Sequence, residues 1–378
     1  MSKNNILLSV RGLSVSFFTE ACPERSRRDG VVRAVQDVGF SIRKGRTFAL
    51  VGESGCGKSV TALAIMQLIP APQGKIVTGE AIFEGQNLLA LGKKQMRQIR
   101  GNKIAMIFQE PMTSLNPVYT VGDQIVEAIK LHQNKSTSDA WNDAIEMLHK
   151  VGIANAEQQA HQYPHQMSAG MQQRVMIAMA ISCKPALLIA DEPTTALDVT
   201  IQAQILDLLD ELQKQNGMSI LLITHDLSVV AERADDVAVM YASRIVEMAL
   251  WHGLPARENM AKMAMPQQLF VEPYHPYTRG LLRCLPLWHG LPARENMAKM
   301  AMPQRLQTIP GAVPDPLYFP SGCKFHPRCR IGCNDNRCQT VEPELRQVQP
   351  GHCVACWYAP SYKVGKTPCK TRAPNNPT

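Results

Sequence analysis

The run Gly52-Glu53-Ser54-Gly55-Cys56-Gly57-Lys58-Ser59 has the spacing G-x-x-x-x-G-K-S. Glycines at those positions let backbone N–H groups converge without Cβ obstruction, and a following helix N-terminus adds positive potential. Lys58 then meets the outer phosphates as a point charge, and the Ser59 hydroxyl ligates Mg²⁺. Gly52, Ser54, Gly55, Gly57, Lys58, Ser59 and Val60 are the candidate phosphate and nucleotide contacts. The elements that must position them flank the run. Thr47–Val51 is apolar and strand-like, and Val60–Met66 is helix-like. Strand, glycine turn and helix in that order bind a nucleoside triphosphate.

Two further stretches carry chemistry of the same kind. Leu187-Leu188-Ile189-Ala190 is an apolar strand ending in adjacent carboxylates, Asp191 and Glu192. Near a phosphate-binding loop, Asp191 can hold the Mg²⁺ shell while Glu192 polarises an attacking water as general base. Met167-Ser168-Ala169-Gly170-Met171-Gln172-Gln173-Arg174 opens a helix. Ser168 and Gly170 offer a hydroxyl and a bare backbone N–H there, either as a second anion site or as an ordinary cap.

Strands are expected at 6–10 and 13–18, at two stretches of 31–42 divided by Gln36 and Asp37, and at 104–108, 187–190, 219–224 and 237–240. Helical periodicity covers about 121–132, 139–151, 171–183 and 200–215. Strands alternating with helices predict an α/β fold whose sheet is largely parallel at its centre. The insert from Ala21 to Gly30 reads as a basic loop.

The chain has 378 residues, enough for one large and one small domain, and 45% of them are hydrophobic. No stretch approaches 18 uninterrupted apolar residues, and the N-terminus lacks a signal-peptide pattern, so a cytoplasmic protein is expected. The net charge of +8 is scattered. It fits a solvated face as readily as contact with anionic lipid or nucleic acid. Cys22, Cys56, Cys183 and Cys284 are dispersed, whereas Cys323, Cys329, Cys333, Cys338, Cys353, Cys356 and Cys369 crowd one end. In a reducing compartment such crowding points to metal. Residues 250–267 recur identically at 287–304. An identical pair is no solenoid, and reads as a copied insert in tolerant surface loops or as a partner-binding helix.

Taken together, these motifs resemble the ATP-binding subunits of ABC transporters over about residues 6–248. The resemblance identifies 167–174 with the signature that completes the ATP site of the opposite subunit. Met167 and Ala169 depart from its usual Leu and first Gly, while Gly170 is retained. It identifies Gln109 with the Q-loop, which senses Mg²⁺ and water and touches the membrane subunits. Asp198, in 194–198, matches the loop that communicates across the dimer, and His225 the switch histidine at the γ-phosphate. Phe17 aligns with the aromatic that stacks on adenine.

The segments 107–117, 275–278 and 309–314 resemble dipeptide, oligopeptide and nickel importers in particular. Subunits of that kind carry a C-terminal extension, some with a [4Fe–4S] cluster on four cysteines. Here the matching ligands are Cys323, Cys329, Cys338 and Cys356, whose thiolates suit iron–sulfur or Zn²⁺, or remain unliganded. The expected architecture is a P-loop NTPase core of the ABC type at 1–248, with a helical subdomain at about 110–183. A small Cys-rich C-terminal domain occupies 249–378 and contains the duplicated inserts.

The resemblance implies ATP and Mg²⁺ as cofactors. It also implies two permease subunits, a paralogous ATPase subunit and an extracytoplasmic substrate-binding protein as partners, no nucleic acid, and a peripheral position at the cytoplasmic face of the membrane. The favoured expectation is an ATPase powering import of di- and oligopeptides, with a nickel importer as the alternative. A soluble ABC ATPase acting on nucleic acid or ribosomes ranks below these, because such proteins usually carry two cores. A metal- or redox-sensing module is a third reading.

Overall fold

The computed structural model describes residues 5–18, 30–110, 114–195, 197–250, 266–284 and 308–360. The expected basic loop and nearly all of both duplicated inserts lie outside these residues.

β1 (Ile6–Phe18) and β2 (Val31–Arg43) pair antiparallel, and β3 (Thr47–Val51) leads through the glycine turn into α1 (Lys58–Ile65). β2 is one strand where two are expected. Asp37 takes a left-handed conformation (φ 49°), and the register shifts between Leu13 opposite Val38 and Val15 opposite Val35. A bulge absorbs the extra polar residue, so pairing resumes instead of ending. β4 (Gly74–Phe83) and β5 (Gln86–Asn87) complete an antiparallel sheet ordered β2-β1-β4-β5.

The chain continues through α2 (Lys93–Ile99) and β6 (Ile104–Ile107) into a helical block. The block comprises α3 (Val121–Gln133), α4 (Thr137–Lys150), α5 (Ala156–Gln159) and α6 (Ala169–Ile181). Thr120, Ser136 and Ser168 start α3, α4 and α6 by accepting from backbone N–H groups of the first turn, which sets where each helix begins. β7 (Leu187–Asp191), α7 (Val199–Asn216), β8 (Ser219–Thr224), α8 (Leu227–Arg233), β9 (Asp236–Tyr241) and β10 (Arg244–Ala249) follow.

β3, β6, β7, β8 and β9 are mutually parallel, as the sequence pattern predicts. Alternate residues of one strand enter different cores, which is why these strands read as continuous apolar runs. Leu187 and Ile189 face the antiparallel sheet and α1, while Leu188 and Ala190 face α3, α4, α6 and α7.

The C-terminal region departs from a separate small domain. After α9 (Pro266–Val271), α10 (Pro276–Arg283) and α11 (Asn336–Thr340), the strands β11 (Arg346–Gln349) and β12 (His352–Val354) join the main sheet. Its order is β11-β12-β10-β9-β3-β8-β7-β6, with Met248 of β10 opposite Cys353 of β12. Glu247 of β10 is fully buried in this join and accepts from Tyr274 N–H (2.7 Å), His275 N–H (3.1 Å) and His352 Nε2 (2.8 Å). A buried carboxylate is tolerable only with such donors. Tyr277, Leu269, Phe325 and Cys329 pack with Val51, Val239 and Tyr241 in a third core. Among the described residues no helix is long and apolar enough to cross a membrane.

Candidate functional site: a phosphate loop and a buried carboxylate pair

All of β3 is buried, which fixes the point where Gly52 leaves the sheet. Glycine is required there, because a Cβ would stand 2.2 Å from the Met240 carbonyl oxygen. Gly57 has φ 106°, and its Cβ would stand 2.3 Å from the Ala34 carbonyl oxygen. Ser54 and Gly55 are exposed at the tip of the loop, and Val60 is half-buried on α1. Gly57 offers no side chain to cap α1, so the first turn keeps backbone N–H groups for a ligand.

The Lys58 side chain is only 4% exposed. Its Nζ donates to the carbonyl oxygens of Gly52 (2.8 Å) and Glu53 (3.2 Å) and lies 3.9 Å from Glu192 Oε1. Ser59 Oγ donates to Asp191 Oδ1 at 3.0 Å. Burial raises the Asp191 carboxyl above the usual aspartate range, and the Ser59 hydroxyl pulls it the other way. A hydroxyl and a carboxylate drawn together are the oxygen donors that Mg²⁺ takes, so these residues fit that ion.

Glu192 lies one residue past the end of β7, with a left-handed backbone (φ 45°) that a glutamate rarely adopts. That turn aims its carboxylate at several groups from different elements. Gln109 Nε2 donates to Oε2 at 3.2 Å, and Thr195 Oγ1 donates to the same oxygen at 3.1 Å. His225 Nδ1 lies 3.4 Å from it, with 61% of the His225 side chain exposed. Gln109 follows β6 and His225 follows β8, so the strand ends of one parallel sheet bring them together. Lys58, Ser59, Asp191, Glu192, Gln109 and His225 thus form one cluster. Thr195 belongs to it and was not singled out from the sequence, although it sits in the stretch 194–198.

The other predicted residues lie elsewhere. Ser168, exposed, uses its Oγ to accept the Met171 N–H at 3.3 Å. Gly170 opens α6 beside Ile201. Asp198 caps α7 by accepting from Ile201 N–H at 2.9 Å. Phe17 is partly buried on β1, packed against the core beside Gly74.

Cys323, Cys329, Cys338 and Cys356 are free thiols close enough to act on one another electrostatically. Burial pushes Cys323 up to about 12 and Cys338 and Cys356 up to about 11, with neighbouring thiols adding to the shift. Among the described residues, however, no group of three or more His, Cys, Asp or Glu stands in a metal-holding arrangement. Cys333 is free, whereas Cys353 is disulfide-bonded. A cavity of about 520 Å³ opens beside this region, lined among others by Asp37, Arg244 and Glu342. None of its lining residues comes from the phosphate loop, and Arg244 already pairs with both carboxylates.

The ABC transporter family profile matches residues 35–195, and the oligopeptide/dipeptide transporter C-terminal region matches 263–335. The probable peptide ABC transporter ATP-binding protein y4tR of Sinorhizobium fredii is 48% identical over 358 residues, 94% of this chain and 96% of that protein. This chain belongs to the ATP-binding subunits of the oligopeptide and dipeptide family of ABC transporters. Within that family, the oligopeptide transport ATP-binding protein AppD of Bacillus subtilis is 46% identical over 351 residues, covering 93% of this chain and 96% of its own. The dipeptide transport ATP-binding protein DppD of Escherichia coli is 46% identical over 352 residues, with the same two shares. Among solved structures, the bacterial ABC transporter cassette MJ0796 superposes with a TM-score of 0.56 at 24% identity. It covers 66% of this chain and 100% of that one, and the likeness is one of fold.

Proposed function

We propose that this ABC ATP-binding subunit hydrolyses ATP to power import of di- and oligopeptides, docked peripherally at the cytoplasmic face of the inner membrane. The observation that carries the ATPase reading is the convergence of Lys58, Ser59, Asp191, Gln109 and His225 on Glu192 and the phosphate loop, while the peptide-transporter C-terminal match supports the substrate. The loop and the start of α1 bind the phosphates, with Lys58 turning from its carbonyl partners toward them. Ser59 and Asp191 would hold Mg²⁺, which when bound neutralises charge on the phosphate oxygens. Glu192 accepts the proton of the attacking water, oriented by Gln109, Thr195 and His225. Phe17 stacks on adenine.

Residues 1–248 act as the ATPase, with 110–183 as its helical subdomain and 249–378 as an extension stitched onto the sheet. Ser168, Gly170 and Asp198 serve a paralogous subunit's ATP site in a head-to-tail pair. Two permease subunits are the membrane partners, and a substrate-binding protein delivers the peptide. Between β6 and α3, Phe108, Val118 and Tyr119 are exposed, apolar side chains that suit permease contact. Cys323, Cys329, Cys338 and Cys356 would be the thiolate donors of a structural [4Fe–4S] cluster or Zn²⁺; donor type supports that reading, while their placement among the described residues does not. Iron and zinc content of the purified chain decides between the metals and neither.

Deleting the gene and measuring uptake of labelled dipeptides, longer peptides and Ni²⁺ in the same cells tests the function. Loss of peptide uptake alone is expected. Loss of Ni²⁺ uptake alone would transfer the chain to the nickel importers.

A further inference from the structure

Glu53 is the second residue of the phosphate loop, and both its backbone and its side chain are held from the C-terminal extension. Its N–H donates to Tyr277 Oη at 2.9 Å. Its carboxylate takes a two-pronged contact from Arg328, NH1 to Oε2 at 2.8 Å and NH2 to Oε1 at 3.2 Å. Its carbonyl in turn accepts from Lys58 Nζ. A continuous path of hydrogen bonds therefore runs from Arg328 through Glu53 to the lysine that faces phosphate.

The holding groups are themselves fixed. The Arg328 side chain is 6% exposed, and its Nε donates to the Pro310 carbonyl oxygen at 2.9 Å. Its guanidinium lies 5.8 Å from the Tyr241 ring centroid and 6.0 Å from that of Phe325. Tyr277 is fully buried and contacts both rings, with centroids 4.5 Å and 5.5 Å away. An arginine fork on a carboxylate defines a geometry, and aromatic packing removes the freedom that would blur it. Removing the guanidinium would leave the Glu53 carboxylate unpaired beside a site for polyanionic phosphate, which repels the ligand as well as loosening the loop.

We propose that Arg328 and Tyr277 are positioning residues for nucleotide, acting through Glu53 to hold the phosphate loop in its anion-ready shape. The extension then does more than pack on the sheet, because it sets the affinity of the ATP site. The proposal rests on the reading of 52–59 as that site.

The test is titration of the full-length protein with fluorescent ATP in the presence of Mg²⁺, alongside thermal melting. Tyr277→Phe removes a single oxygen and keeps the ring, and Arg328→Gln removes the fork. Arg328→Gln is expected to weaken ATP binding by about ten-fold, the scale of one charge-assisted hydrogen bond, and Tyr277→Phe by about three-fold, the scale of a neutral one. Arg328→Lys should recover part of the loss, and Arg328→Gln combined with Glu53→Gln should bind better than the product of the two single effects. Wild-type affinity in folded Tyr277→Phe and Arg328→Gln, with only the melting temperature lowered, would overturn the positioning role. Additive losses in the double variant would overturn the path through Glu53. A wild-type chain that fails to bind ATP would instead remove the nucleotide reading on which the proposal stands.

Discussion

Two helices of this subunit begin at residues tied to anion chemistry, and their starts are built in opposite ways. α1 follows a glycine at φ 106°, has no capping side chain, and carries a buried lysine at its first position. α6 follows Ser168, whose hydroxyl already accepts from its own first turn, and Ser168 and Ala169 are exposed while Gly170 is half-buried. The first start has free donors and a charge aimed inward. The second is satisfied at home, over a long 3.3 Å bond, and faces outward. An anion site that one chain can operate alone is left uncapped and backed by charge. On the proposed pairing, the α6 start would stay capped until the second chain arrives.

Breaking the first start should cost most. Lys58→Ala is expected to weaken ATP binding by about two to three orders of magnitude, because no other charge of the loop replaces it. Nucleotide titration measures it, and near-normal affinity would mean the loop does not work as described. Glu192→Gln tests the same cluster without touching binding. Turnover should fall by about a hundred-fold or more while ATP stays bound, and paired subunits should accumulate on gel filtration.

At the second start, Ser168→Ala should leave ATP binding by the isolated chain unchanged and lower hydrolysis by the assembled transporter. It should also lower stability by about 1 kcal/mol through the lost cap. An equal loss of ATP affinity in the single chain would erase the contrast between the two helices.

A third helix start sharpens the comparison with pH. α10 is capped by His275 Nδ1, which accepts the Tyr277 N–H at 3.1 Å, so the ring there must be neutral. Burial pushes this imidazole down to about 4, with Arg279 adding to the effect and Glu247 opposing it. An unfolded histidine takes up its proton near pH 6.5, so between about 6.5 and 4 the unfolded chain holds a proton that the folded chain does not. Stability should therefore fall as pH drops through that window. Melting temperatures at pH 7 and pH 5 should differ less in His275→Asn than in the wild type.

The nucleotide cluster was legible because its parts sit at the ends of buried strands. Thr47–Val51, Leu187–Asp191 and Ser219–Thr224 are apolar on both faces, and the residues following them carry the chemistry. Several strands away from the parallel centre were not legible. β4 exposes Val77, Thr78, Gly79 and Glu80, and β11 and β12 are four and three residues long, too short for an alternating pattern. Glu247 and its strand β10 were not singled out from the sequence, and only the three donors from the extension make the burial of Glu247 possible. The Arg328–Glu53 pair spans 275 residues, a separation at which no local spacing rule operates.

The latest-made strand of the sheet lies in its interior, between β11 and β10. β10 leaves the ribosome with one hydrogen-bonding edge bare, and its partner β12 emerges only after residues 250–351 have been made. At roughly 5–20 residues per second, that leaves the edge open for on the order of ten seconds in every newborn chain. Through this interval the nascent subunit carries a strand paired on one side only, Arg244–Ala249, whose Ile245, Val246, Met248 and Ala249 are apolar, the kind of edge that recruits another chain. Both copies of the duplicated segment are synthesised within that gap and lengthen the wait.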